Sequence, residues 1–366
     1  LVIFKHDKVF DQCKRIIITV GIVLVLIGGT IGSIDAQGKT NDLQAFLEEN
    51  VGMSKREYGT IDTDVIVKKV DPAGTKREMA VFGIVRIAVS EDFLLEQFRD
   101  ITSFMQNKKI KQIGALSNPP AQADVAALDL PESDIEELRK CKMGSCKVKL
   151  PASAFDRLGE IDWSQGDSTE RVRKLFREGV INYVERYRKN GNEVLVEYVD
   201  KEEPMSLNEG LSSLLNQAKY VYRLSPALHT FLKNSPHSAP PEINDFLFWS
   251  IEDFGQRPTT TLTQAVIFEG AEGDQELIIA LKQLYATHYF QARLQFIHLV
   301  DAPDVARGSG IYLMYLDRIL FDADLSKVTR MLISKGLYSH IECWLADIRD
   351  RLQDKYKTAK GSQNVK

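Results

Sequence analysis

The stretch "LIIALKQLYATHYFQARLQFIHLV", Leu277 to Val300, has neither Gly nor Pro and threads Lys282, Tyr285, His288, Arg293 and His298 through apolar residues. Two periods compete over it. At helical period Leu277, Leu281, Leu284, Tyr285, His288 and Ala292 share a face; at period two Leu294, Phe296, His298 and Val300 oppose Arg293 and Gln295. A long amphipathic helix would not scatter Phe290, Phe296, Ile297, Leu299 and Val300 around its circumference, and the flanking segments read as strands. The stretch is therefore expected to form two strands. One strand rising about 3.3 Å per residue would be far too long, so a turn or bulge is expected near Thr287 to Gln291.

Working outward, strand patterns recur on both sides. "FLFWSIEDF", "TTTLTQAVIFEG" and "GIYLMYLDRILFD" follow Asp245, and the chain closes with an amphipathic helix whose face carries Leu337, Ile341, Leu345, Ile348 and Leu352. Upstream, "GTIDTDVIVKKVD" and "REMAVFGIVRIAVS" read as strands joined across "PAGTK", followed by a helix from Ser90. The middle, Gln112 to Asn244, reads as a helical insertion. Its longest helix is bounded by Asp167 and Gly191.

Before this body, "IIITVGIVLVLIGGTIGSI", Ile16 to Ile34, is a run of nineteen uncharged residues preceded by Lys5, Lys8, Lys14 and Arg15. At about 1.5 Å per residue it is long enough to cross a bilayer's hydrocarbon core. The flanking basic residues place the N-terminus in the cytoplasm and the rest outside. Residues 1–36 are thus expected to be a signal-anchor, or a signal peptide with an imperfect cleavage site before Gln37. Residues 39–366 form the body, outside the cytoplasmic membrane as a periplasmic domain, or secreted if the segment is cleaved.

Composition limits the function classes. The 366-residue chain is 44% hydrophobic and 27% charged with a formal net charge of −4, so it is globular. It lacks the concentrated basic face that nucleic acid requires, and no nucleic-acid partner is expected. "CKMGSC" sets Cys141 and Cys146 around a Gly-containing turn, a disulfide candidate in an oxidising compartment or else two free thiols. No zinc-type CxxC pair or dinucleotide loop is present, and Ser212 in "EGLSSL" lacks the second Gly of a nucleophile elbow, so no cofactor or catalytic residue is assigned.

The order of strands, helix, helical insertion, antiparallel strands and long terminal helix resembles the START-like, helix-grip superfamily of lipid-binding and polyketide-cyclase-like proteins. The strings "CKMGSCKVKLP", "FLFWSIEDFGQRP" and "KQLYATHYF" are similar to those of uncharacterised exported bacterial proteins. The resemblance implies an α+β body in which a curved antiparallel sheet wraps the last helix around a cavity for a lipid or other hydrophobic small molecule. The cavity candidates are Lys282, Tyr285, His288, Phe290, Phe296, His298, Met314 and Arg318, with Leu345 opposite. In that arrangement a cavity of several hundred Å³ is expected. His288 and His298 with Asp317 are the residues to weigh as metal ligands, but the spacing lacks a close histidine pair, and no metal is assigned. A non-enzymatic carrier is the first expectation. The alternatives are acid–base catalysis by His288 or Tyr285 on an apolar substrate, and an envelope interaction protein using the helical insertion, which an exposed apolar patch on residues 165–235 would favour; any protein partner is left open.

Overall fold

A computed structural model describes residues 43–70, 75–218, 225–235, 239–255, 257–270, 277–302 and 310–363. The segment 1–36, with its apolar run 16–34, lies outside the described residues. Among the described residues no helix is long and apolar enough to cross a membrane.

The decisive stretch is two strands, β8 (Leu277–Ala286) and β9 (Phe290–Ala302), in one curved antiparallel sheet of eight strands. The turn falls at Thr287 to Tyr289, where Tyr289 takes a left-handed φ of 64°. The remaining strands are β1 (Ile66–Val70), β2 (Glu78–Ile87), β3 (Ile110–Leu116), β6 (Ile243–Asp253), β7 (Pro258–Glu269) and β10 (Gly310–Phe321). Their order is β1-β2-β10-β9-β8-β7-β6-β3. A two-stranded ribbon of β4 (Glu197–Tyr198) and β5 (Met205–Ser206) stands apart.

Helices cover both faces of the sheet. On one lie α1 (Glu91–Arg99), α2 (Ile101–Met105) and the C-terminal helix α8 (Lys327–Gln363). The insertion contributes α3 (Glu132–Leu138), α4 (Ala152–Gly159), α5 (Ser168–Asn190), α6 (Leu207–Gln217) and α7 (Pro226–Asn234). Of these, α5, α6 and α7 pack on the other face, where Val180, Leu214 and Phe231 share a core with Leu294, Phe296 and Met314. α3 and the start of α5 close a smaller cluster around Ile135, Leu150 and Val172. Burial on both faces explains why every residue of β8 and β10 is buried, a pattern more usual in parallel sheets. It also removes the alternation by which a half-solvated strand announces itself.

One boundary differs from the sequence reading. The sequence pattern predicts the insertion from about Gln112, yet Ile110 to Leu116 forms the edge strand β3, paired with β6. Its Lys111, Gln112 and Gly114 are tolerated because an edge strand needs only one partner, so the strand lacks a strong apolar signature. The helices therefore occupy the chain between Leu116 and Ile243.

Close approach of α8 to the sheet depends on Gly83 of β2. A Cβ there would lie 2.6 Å from Leu345 Cδ1 and 3.1 Å from Ile341 Cγ2. Gly83→Val is expected to push the helix outward and cost about 1–3 kcal/mol, read as a lower denaturant midpoint. A Val that leaves the midpoint unchanged would mean that the helix is not held at this contact.

Candidate functional site

Between the sheet and α8, the side chains facing the helix change character along the strands. At one end they are apolar: Val81, Val85, Ile279, Ile297 and Leu313 meet Ile341, Leu345 and Ile348. Toward the other end the same period-two positions become Ser250 and Glu252 on β6, Thr261 and Thr263 on β7 and Gln283 on β8. They continue as Arg293 and Gln295 on β9 and Tyr315 and Asp317 on β10. Most of these groups, with Phe248, line a cavity of about 40 Å³, closed by His340, Ile341 and Trp344 of α8 and by Met105, Asn107 and Ile110.

The polar wall is organised by an ion pair. Arg293 donates from Nε to Asp317 Oδ1 at 3.0 Å and from Nη2 to Oδ2 at 2.7 Å, the paired geometry that guanidinium and carboxylate favour. Its Nη1 reaches Glu252 Oε2 at 3.5 Å, a looser contact. Glu252 also accepts from Ser250 Oγ at 2.8 Å, and Asp317 from the Tyr315 hydroxyl at 3.3 Å, which in turn accepts from Gln295 Nε2. Burial alone would weaken the Arg293 charge, but Asp317 outweighs it and holds the guanidinium firmly protonated. Burial, assisted by Asp317, pushes the Tyr315 hydroxyl far up, so it stays neutral. Burial pulls His340 down to about 4, helped by Arg293 and Lys109, and it too is neutral near pH 7.

Three atoms of this wall are left over. Gln283 Nε2, Gln283 Oε1 and Trp344 Nε1 are buried with no hydrogen-bond partner among the described residues. Such groups are few in folded proteins, and each normally has a water, an ion or a ligand to satisfy it.

The expected cavity residues lie elsewhere. Lys282, Tyr285, Phe296, His298, Met314 and Arg318 point to the face covered by the insertion. Lys282 donates to Tyr187 Oη at 3.0 Å, to Ser235 Oγ at 2.7 Å and to Asn192 Oδ1, and burial pulls its ammonium down to about 7. Arg318 pairs with Glu78 and reaches Gln217 Oε1 at 2.9 Å. Tyr285 donates to the Lys149 carbonyl at 2.6 Å. His298 is buried with neither ring nitrogen partnered among the described residues.

Phe290 packs with Met79, Ile319 and Phe321, beside the far end of α8. His288 sits in the β8–β9 turn, 3.0 Å from the Asp134 carboxylate and 3.0 Å from the Lys147 carbonyl, tying the turn to α3. Leu345 does face the sheet from α8, but against Gly83 in the apolar half. None of the candidates lines the cavity, and the expected space of several hundred Å³ beside them is not what lies under α8. On β9 the apolar side of the alternation, Leu294 and Phe296, faces the insertion, and the polar side, Arg293 and Gln295, faces the cavity.

Asp317 and Arg318, adjacent in sequence, point to opposite faces and are both buried in ion pairs. Cys141 and Cys146 form a disulfide with Cα atoms 4.6 Å apart. Among the described residues no group of three His, Cys, Asp or Glu side chains is placed to hold a metal.

No protein-family model matches this chain, and no curated protein sequence resembles it significantly.

Proposed function

We propose that this chain is a non-enzymatic binding protein with a START-like, helix-grip body, exported or anchored through residues 16–34, whose ligand lies between the sheet and α8. The observation that carries the reading is the polar cavity at this interface, with buried hydrogen-bonding atoms left unpaired. The helix-grip assignment is supported by strand order: β2 and β10 are neighbours, β3 lies beside β6 at the far edge, and α8 runs across the face.

The resemblance implies a hydrophobic ligand, and size decides how much of one the cavity takes. A water-sized group needs about 10–15 Å³ by this measure, so 40 Å³ holds roughly three. The buried end of the ligand is then small and polar, and an apolar remainder would extend past Asn107 and Glu252. Catalysis by His288 or Tyr285 has less support, since both side chains are engaged away from this cavity. Nor is the interaction reading favoured: the large apolar side chains exposed among the described residues are Met143, Val328, Met331 and Leu332, outside 165–235.

The test is native mass spectrometry of the chain purified from bacterial cells, followed by extraction of bound molecules. A co-purifying molecule near one-to-one, released when α8 is loosened by Gly83→Val, is the expected result. An empty protein that takes up neither polar fragments nor lipid would refute the binding reading.

A further inference from the structure

We infer that the ligand presents a neutral amide edge to this cavity, a carbonyl oxygen and an N–H on neighbouring atoms, as in a carboxamide or a lactam. The inference rests on the cavity being the ligand site, and it follows from which atoms there lack partners.

Gln283 and Trp344 are 3% and 6% exposed, and both line the cavity. Gln283 offers an unpaired donor and an unpaired acceptor side by side; turning its amide over leaves the same complementary pair. Trp344 Nε1 adds a second donor from the opposite wall. An amide edge answers all three atoms: its N–H donates to Gln283 Oε1, and its carbonyl oxygen accepts from Gln283 Nε2 and from Trp344 Nε1–H through two lone pairs.

Charged ligands answer fewer. A carboxylate brings no donor for Gln283 Oε1, and it would enter a desolvated site where Asp317 and Glu252 already outnumber Arg293. An ammonium brings no acceptor for Gln283 Nε2 or Trp344 Nε1, and both wall carboxylates are already engaged by Arg293 and by hydroxyls. The available volume agrees, because the carbon, oxygen and nitrogen of an amide fill about the space of three water-sized groups.

The experiment is a titration of the purified 366-residue chain, in a buffer and detergent free of amides, with benzamide, 2-pyrrolidinone, benzoate and benzylamine, followed by calorimetry. The amides are expected to bind at least tenfold more tightly than the matched carboxylate and amine. Trp344→Phe, which keeps an aromatic ring and removes the N–H, is expected to weaken benzamide about tenfold. Benzoate or benzylamine binding as well as benzamide would overturn the amide assignment and leave the cavity as a ligand site. Failure of every fragment would mean that ordered water alone satisfies Gln283 and Trp344, overturning the inference; the binding reading would then stand or fall by the co-purification experiment. Unchanged benzamide affinity in a folded Trp344→Phe would place the ligand elsewhere and also overturn it. If that variant does not fold, the ranking on the unaltered chain still decides.

Discussion

Asp317→Ala is expected to lower the free energy of unfolding by about 3–5 kcal/mol, read as a drop in denaturant midpoint with an unchanged slope. The reason is the guanidinium left behind. Asp317 is fully buried and takes two hydrogen bonds from Arg293, whose only other carboxylate contact among the described residues is the 3.5 Å approach of Glu252. Removing Asp317 leaves a desolvated cation with one distant counter-charge. The companion variant carrying Arg293→Met and Asp317→Leu together is expected to recover most of the loss, since replacing both members of a buried pair by apolar groups removes the desolvation cost with the attraction. A single variant within 1 kcal/mol of the parent would show that water reaches Arg293 through the cavity mouth and screens it.

Acid is expected to destabilise the protein well above the range in which ordinary carboxylates titrate. Burial holds His298 at about 4, below its ordinary 6.5, so the folded chain keeps it neutral. The sign follows from proton uptake: below pH 6.5 the unfolded chain protonates its histidine first, and the fold loses relative stability until the pH passes about 4. At pH 5 the loss from this residue is on the order of 2 kcal/mol relative to pH 7.5. His340 shifts in the same direction at the cavity, adding to the slope. His298→Leu, which keeps an apolar surround apolar, is expected to flatten the fall in unfolding free energy between pH 7 and 5 by about that amount. If the variant and the parent lose stability in parallel over this range, His298 is not the group that takes up the proton.

The opening stretch shows how far sequence carries and where it stops. Two strands with a turn near Thr287 were legible because aromatic and β-branched residues surrounded the chain at every angle a helix would offer. The C-terminal helix and the long helix ending before Gly191 were legible from periodicity and a stop residue. β3 was not, because an edge strand with Lys111, Gln112 and Gly114 carries little apolar signal. The site was half legible. Arg293 and Gln295 were seen to oppose Leu294 and Phe296, yet a strand's alternation says only that its faces differ, not which of them meets which layer. A sheet with one solvated face would have put the polar side in water. Here the insertion covers one face and α8 the other, so the polar positions are buried and meet across the strands from Glu252 to Asp317. Gln283 gives no local sign of its role, because its lack of a partner is a property of what packs opposite.

The pairing of β2 with β10 also bears on how the chain reaches this state. Arg318 and Glu78, which join across that pairing, lie 240 positions apart, and Ile311 meets Ile87 across the same ladder. The chain is made from its N-terminus, so β2 exists with only β1 beside it until nearly the whole body has followed. Throughout that interval one strand edge is open, and on one face the apolar residues wait for the last helix, α8, to be made. Closing so distant a contact has a large entropic cost before any packing is gained, so assembly is slow and its early species are prone to pair with one another. Until β10 is made, the open edge of β2 is the place at which copies of the chain would pair.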